Sequence, residues 1–175
     1  RQFVLNKQTG QLVDNKIARL NSPDNQTGPR HICFRPSGDI AYVINEQGMT
    51  ISKLDYDGMN GRLERSQHIS SLPEGYTNEN GATAHIEVHP NGKWLYGSNR
   101  GHDSIVGMDI ADNGSITPFN FFSVPTSPRS FNIDATGHFL FCAGEAADIV
   151  RAFKIDQENG NLSPIADYDV GGKPF

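Results

Sequence analysis

His31-Ile32-Cys33-Phe34-Arg35, the turn Pro36-Ser37-Gly38, Ile40-Ala41-Tyr42-Val43-Ile44, a run from Met49 to Tyr56 and another from Arg62 to Ile69 read as four successive short strands. Each piece is rich in branched and aromatic side chains and is bounded by turn-forming residues. Asp57-Gly58 and Asn60-Gly61 supply tight-turn chemistry, because these residue types tolerate positive φ. No stretch sustains the 3.6-residue apolar period of a helix. The expected class is all-β.

The same pattern returns along the chain. Thr9-Gly10-Gln11-Leu12 recurs as Asn60-Gly61-Arg62-Leu63, Asn113-Gly114-Ser115-Ile116 and Asn159-Gly160-Asn161-Leu162, with glycines 51, 53 and 46 residues apart. A second marker keeps step inside each interval: Pro36-Ser37-Gly38, Pro90-Asn91-Gly92 and Ala135-Thr136-Gly137. Asn45, Asn99 and Gly144 each lie seven residues beyond its glycine. Four antiparallel strands per repeat of roughly 45 to 50 residues is the signature of a β-propeller blade. Three blades are expected at 28–72, 82–126 and 127–170, after the outer strands of an incomplete blade in 1–27 (near 1–7 and 11–20). Residues 171–175 resemble the start of another. Blades have apolar faces on both sides, so about three and a half blades leave two faces uncovered. Another chain, a symmetry copy or a missing N-terminal half is therefore expected to close the ring.

Composition narrows the function. The 175 residues carry 15 basic and 20 acidic side chains, a formal charge of −5, which disfavours a nucleic-acid partner. No apolar run approaches the ~20 residues of a membrane helix, and no signal-peptide pattern is visible, so no membrane partner and a cytoplasmic location are expected. Cys33 and Cys142 sit in apolar strand-like runs and read as small core residues. No Cys or His grouping has zinc spacing, and Asp55-Tyr56-Asp57-Gly58 only loosely resembles a calcium loop, so no metal and no cofactor are expected. Serine-nucleophile elbows and phosphate-cradling glycine loops are absent from the sequence.

Gly28-Pro29-Arg30-His31, Phe34-Arg35-Pro36-Ser37-Gly38 and Tyr42-Val43-Ile44-Asn45-Glu46 resemble the lactonase family of seven-bladed β-propellers. Ala84-His85-Ile86, His89-Pro90-Asn91-Gly92-Lys93-Trp94-Leu95-Tyr96, Asn99-Arg100 and Pro128-Arg129-Ser130-Phe131 extend the likeness over nearly the whole chain. That family includes cycloisomerase-type 6-phosphogluconolactonases and 3-carboxy-cis,cis-muconate lactonizing enzymes. The resemblance implies roughly twice this length, a small anionic lactone as substrate, and further functional residues, a histidine among them, in blades ahead of Arg1. It also implies functional arginines at Arg30 and Arg100 and a functional glutamate at Glu46.

Overlaying the repeats isolates the same positions. Arg30-His31, Ala84-His85 and Arg129-Ser130 share the head of the innermost strand, while Glu46, Arg100 and Glu145 share the end of the second. A repeat that only has to fold does not need unlike charges at one position, and equivalent loops of successive blades meet at one mouth of the channel. Arg30 and Arg100 are candidates for holding a carboxylate, phosphate or oxyanion, since a guanidinium offers a planar fork. Their alternative role is to bridge adjacent blades. Glu46 is the candidate base on water, or the group that takes and returns a proton at carbon; its alternative is a structural ion pair. His31 and His85 can assist a leaving alkoxide or merely anchor a blade. Arg129, with Glu145, is the third-blade echo and a candidate substrate contact. His89, His102 and His138 lie in or beside turns and are expected to be solvated. The expected activity is hydrolysis of an anionic sugar lactone, 6-phosphogluconolactone first. A muconate-type lactonizing cycloisomerase or a non-catalytic binding platform are the alternatives.

Overall fold

In the computed structural model, which describes residues 1–17, 19–23, 27–77 and 80–175, all the assigned regular structure is β. A two-stranded sheet comes first, β1 (Phe3–Leu5) with β2 (Leu12–Asp14). Three four-stranded antiparallel sheets follow, each in sequential order. The first contains β3 (Pro29–Phe34), β4 (Ile40–Asn45), β5 (Thr50–Asp57) and β6 (Arg62–Ser70). The second contains β7 (Ala82–Val88), β8 (Trp94–Arg100), β9 (Ser104–Ile110) and β10 (Ile116–Ser123). The third contains β11 (Pro128–Ile133), β12 (Phe139–Gly144), β13 (Ile149–Ile155) and β14 (Leu162–Asp169). The strands expected near 1–7 and 11–20 are shorter than their intervals, and Ala18 lies outside the described residues.

The sheets stack as propeller blades. β3 packs beside β7, and β7 beside β11, so the first strand of every blade lies innermost. The apolar core is two layers between blades rather than one central mass. Ile40, Tyr42, Ile44 and Ile51 of the first blade meet Ile86, Leu95, Val106 and Met108 of the second. Trp94, Tyr96, Ile105 and Phe122 of the second meet Phe131, Leu140, Phe153 and Ile155 of the third.

The repeated glycines are the points where one blade engages the next. Tyr42 Oη donates to the Gly114 carbonyl at 2.8 Å, and Tyr96 Oη donates to the Gly160 carbonyl at 2.6 Å. Gly114 and Gly160 adopt φ of 77° and 73°, which turns their carbonyls outward toward the preceding blade. Side-chain amides reinforce the joint: Gln67 exchanges two 2.8 Å bonds with the backbone of Ile116, and Gln2 Oε1 accepts from Leu63 N at 2.7 Å. The second glycine marker is used in the same way at one joint. His89, expected to be solvated, is only 2% exposed, and its Nε2 donates to the Gly137 carbonyl at 2.7 Å. Its turn is buried because the third blade lies over it, so the expectation from turn chemistry fails there. His102 is also partly covered, packed on Tyr76 and bonded to Ser104, whereas His138 is exposed as expected.

The outer blade faces are left apolar. The position held by Tyr42 and Tyr96, both 0% exposed, is held in the third blade by Phe141, which is 40% exposed. Phe139, Ile165, Tyr168 and Val170 lie exposed in the same blade, as do Ile32 and Phe34 on β3. Cys142 is fully buried and Cys33 packs against the first interblade layer; burial pushes both thiols up to about 12, as expected of inert core cysteines.

A Cβ on Gly114 would collide with Ile40 Cδ1, whereas one on Gly38, at φ 75°, meets nothing within 4 Å. Gly38→Ala should therefore cost about 1 kcal/mol of conformational strain, and Gly114→Ala about 3 kcal/mol because the blade joint must also open. Urea unfolding of the two variants checks this. Equal losses would show that the glycine does not form the joint.

Candidate active site at the heads of the inner strands

The candidate residues are presented by a shared backbone irregularity. Pro29 pairs with Asn45 and His31 with Ile44, which leaves Arg30 as an extra, unpaired residue of β3. Pro128 pairs with Gly144 and Ser130 with Ala143, so Arg129 occupies the same bulge in β11. On β7 the register shifts between Thr83 and Ile86, across Ala84 and His85. A bulge bends the strand and redirects a side chain out of the alternation that would otherwise bury it or face it away. The second-strand ends are held equally firmly. Asn45 Nδ2 bonds Thr50 and Ser52 hydroxyls, and Asn99 Nδ2 bonds the Ser71 carbonyl at 2.8 Å and the Ser104 hydroxyl, so Glu46 and Arg100 leave from anchored strand termini. In the third blade Pro125 occupies the space that such an asparagine would need, and Gly144 stands in its place.

These supports bring five of the six candidates into one cluster. Glu46 Oε1 accepts from Arg100 Nη2 and lies 3.6 Å from Arg30 Nε, so one carboxylate is flanked by two guanidiniums. Both arginines are also fixed to the backbone of β7: Arg30 Nη1 donates to the Ala84 carbonyl at 2.7 Å, and Arg100 Nη2 to the Thr83 carbonyl at 3.0 Å. They thus bridge blades and point into the cluster at once, combining the two roles that the sequence left as alternatives. Side-chain exposures of 19%, 30% and 19% for Arg30, Glu46 and Arg100 leave the group reachable from solvent. Among the described residues, Arg100 Nε is buried without a hydrogen-bond partner, as is Gln2 Nε2.

The histidines complete the cluster. His31 Nε2 lies 3.4 Å from Arg30 Nη1, and the His31 and His85 rings meet edge to face at 5.0 Å. His85 in turn packs on Phe131 at 4.8 Å, so one ring from each inner strand forms a continuous row. Burial, then the neighbouring His31 and Arg30, depresses His85 to about 4. Burial and the Arg30 charge also lower His31, partly opposed by Glu46. Both rings are therefore neutral at pH 7, able to donate one N–H and accept at the other nitrogen. Burial lowers the pKa of Arg30 as well; Glu46 opposes this, while repulsion from Arg100 and Arg129 adds to it.

Arg129 stands apart from the five. Its Nη1 donates to Glu145 Oε1 at 2.9 Å, and Glu145 Oε2 also takes the Ser127 hydroxyl. The loosely calcium-like segment turns inward on itself: Asp57 accepts from Met59 N and Asn60 N, and Asp55 pairs with Lys53. The sequence reading overlooked Ala84 and Thr83, whose carbonyls hold the two arginines. The signal was present in the overlay, since Ala84 is the small residue in a register otherwise occupied by Arg30 and Arg129.

The low His85 value has a consequence for stability. Between pH 6.5 and about 4 the unfolded chain takes up a proton at this position that the folded chain refuses. Stability should be full above pH 6.5 and decline toward about 4. His85→Gln should flatten that decline relative to wild type in urea titrations across the window. An unchanged slope would show that His85 is not held neutral by its site.

Known proteins share this architecture. A family model described as "Lactonase, 7-bladed beta-propeller" matches residues 1–175. A 6-phosphogluconolactonase of Pectobacterium carotovorum is 35% identical over 168 residues, which is 95% of this chain and 50% of that protein. The solved structure of a periplasmic gluconolactonase from Pseudomonas aeruginosa superimposes with a TM-score of 0.85 at 26% identity, covering 93% of this chain and 45% of that one. A Lactobacillus plantarum protein gives the same TM-score at 27% identity, covering 94% and 47%. The chain spans about half the length of the curated relatives it matches. With three four-stranded blades, a match along its whole length and inner-strand heads built alike, this chain belongs to the seven-bladed β-propeller lactonase family.

Proposed function

We propose that the protein hydrolyses an anionic sugar lactone, with 6-phosphogluconolactone as the substrate to test first. The observation that carries this reading is the Glu46 carboxylate shared by Arg30, on a bulged inner-strand head, and Arg100, at the second-strand end of the next blade. A non-catalytic platform has no need of unlike charges converging at one mouth. The similarity to proteins named 6-phosphogluconolactonase and gluconolactonase supports the substrate class.

In this mechanism Glu46 accepts a proton from water as the water oxygen bonds to the lactone carbonyl carbon. Negative charge builds on the carbonyl oxygen, where the guanidiniums of Arg30 and Arg100 stabilise it. Fixed to the Thr83 and Ala84 carbonyls, they need little rearrangement as that charge develops. Collapse of the tetrahedral intermediate breaks the ring C–O bond, and the proton passes to the departing oxygen. His31 or His85, neutral at pH 7, relays it, taking the Glu46 proton at one ring nitrogen as the N–H of the other is given up to the departing oxygen. The product is an open-chain carboxylate with a new hydroxyl. We further propose that another chain, a symmetry copy or further blades of the same polypeptide cover the apolar faces around Phe141 and Ile32.

Hydrolysis of 6-phosphogluconolactone by the full-length protein, corrected for spontaneous opening, tests the reading. Glu46→Gln preserves shape and removes the base, so turnover should fall by roughly 100-fold or more while product binding persists. Arg100→Lys keeps charge but loses the fork and should mainly raise KM. Wild-type turnover in the Glu46→Gln protein would make Glu46 a structural ion-pair partner and overturn the mechanism.

A further inference from the structure

The three arginines at the mouth are not held alike. Arg30 and Arg100 are tied to backbone carbonyls of β7 and share Glu46. Arg129 has the same bulged position as Arg30, but its hydrogen bonding among the described residues runs to a single atom, Glu145 Oε1. Its side chain is 41% exposed, about twice the exposure of the other two. Glu145 is itself steadied independently of Arg129, by the Ser127 hydroxyl and by the bond from its own N–H to the Ser127 carbonyl at 3.0 Å. Arg129 is thus an adjustable cation with most of its fork open, beside a carboxylate that does not depend on it.

Its location adds to this. β11 lies beside β7, with Phe131 packed on His85 at 4.8 Å, so the Arg129 charge is felt at Arg30; Arg30 shares Glu46 with Arg100, while Arg129 pairs with Glu145. Between the blades, Ala84 leaves the equivalent position without a charge or a long side chain. The mouth therefore holds three guanidiniums against two carboxylates. An anion on the open side of Arg129 adds the missing negative charge and engages guanidinium N–H groups that make no hydrogen bond among the described residues.

We infer that Arg129 forms a second anion subsite, which takes a phosphomonoester on the sugar at the end remote from the lactone carbonyl. This rests on the lactonase reading and deepens it: the Arg30–Glu46–Arg100 cluster handles the ester, and Arg129 selects phosphorylated over unphosphorylated lactone. A phosphoryl group suits the position, since it offers several acceptor oxygens to a guanidinium fork that keeps one arm on Glu145.

The test compares glucono-δ-lactone with its 6-phospho derivative on the full-length protein. Arg129→Met should lower kcat/KM for the phosphorylated lactone by roughly 10- to 100-fold, and for the unphosphorylated one by no more than about threefold. Arg129→Lys should fall between wild type and Met on the phosphorylated substrate alone. Parallel losses on both lactones would make Arg129 a blade-bridging or general-site residue and overturn the subsite, as would no loss on either. Calorimetry with 6-phosphogluconate and gluconate gives a readout independent of turnover. Arg129→Met should weaken the phosphorylated anion selectively, and equal affinities for the variant and wild type would again overturn the inference. Should wild type hydrolyse neither lactone, the catalytic reading fails while this binding comparison still decides the subsite.

Discussion

A tyrosine hydroxyl bonded to the carbonyl of a left-handed glycine one blade away is the joint on which the architecture depends. A four-stranded sheet satisfies its own backbone but cannot bury two apolar faces, so its stability is held in common with its neighbours. Dispersion and apolar burial in the interblade layers supply most of the attraction, but they are not directional. The bonds from Tyr42 to Gly114 and from Tyr96 to Gly160 supply direction, because a buried hydroxyl and a buried carbonyl each need a partner in one place. They fix how far one blade slides along the next. The Gln67–Ile116 pair and the His89–Gly137 bond hold the same relation at other points.

That alignment brings the chemistry together. Arg30, His31 and Glu46 belong to the first blade and His85 and Arg100 to the second, so no single blade contains the cluster. The bulges at Arg30 and Arg129 aim side chains that regular alternation would have pointed elsewhere. The blade-to-blade bonds place the Ala84 carbonyl where Arg30 reaches it and Glu46 where Arg100 reaches it, while Arg100 takes the Thr83 carbonyl within its own blade. A shift of one residue in the stacking would keep every sheet intact and scatter the cluster. The unpartnered Arg100 Nε and the depressed His85 both lie in this interblade cluster.

The repetition also explains why one register position can carry different chemistry. The scaffold positions, such as the glycines and the anchoring asparagines, recur because each joint has the same geometry. At the strand heads nothing in that geometry demands a particular side chain, so Arg30, Ala84 and Arg129 can occupy equivalent places. In the third blade the scaffold itself varies, where Pro125 displaces the asparagine and Phe141, lacking a hydroxyl, replaces the joint-forming tyrosine.

Strand positions were legible in the residues because turn chemistry and branched runs are local properties. The strands read at Ile40–Ile44 and Arg62–Ile69 differ from Ile40–Asn45 and Arg62–Ser70 by one terminal residue. The blade repeat was legible too, since the in-step glycines mark a backbone conformation that few other residues adopt. The register overlay even brought forward Arg30, Glu46 and Arg100 as positions that should meet. Local sequence says nothing, however, about what lies on top of a turn. His89 is buried because the third blade covers it, and its neighbours Pro90 and Asn91 give no sign of that. The Ala84 carbonyl that anchors Arg30 and the meeting of Arg100 with Glu46 were likewise decided by packing between blades, while the bulges, the Arg100–Thr83 bond and the Arg129–Glu145 pair were decided by strand pairing within one. The sequence by itself determined the strands, their repeat and the residues able to act. Tertiary structure decided which of them meet and how tightly each is held, because the contacts that assemble the cluster, Arg30 with Ala84 and Glu46 with Arg100, join residues 54 positions apart, whose separation in space only the stacking of blades sets.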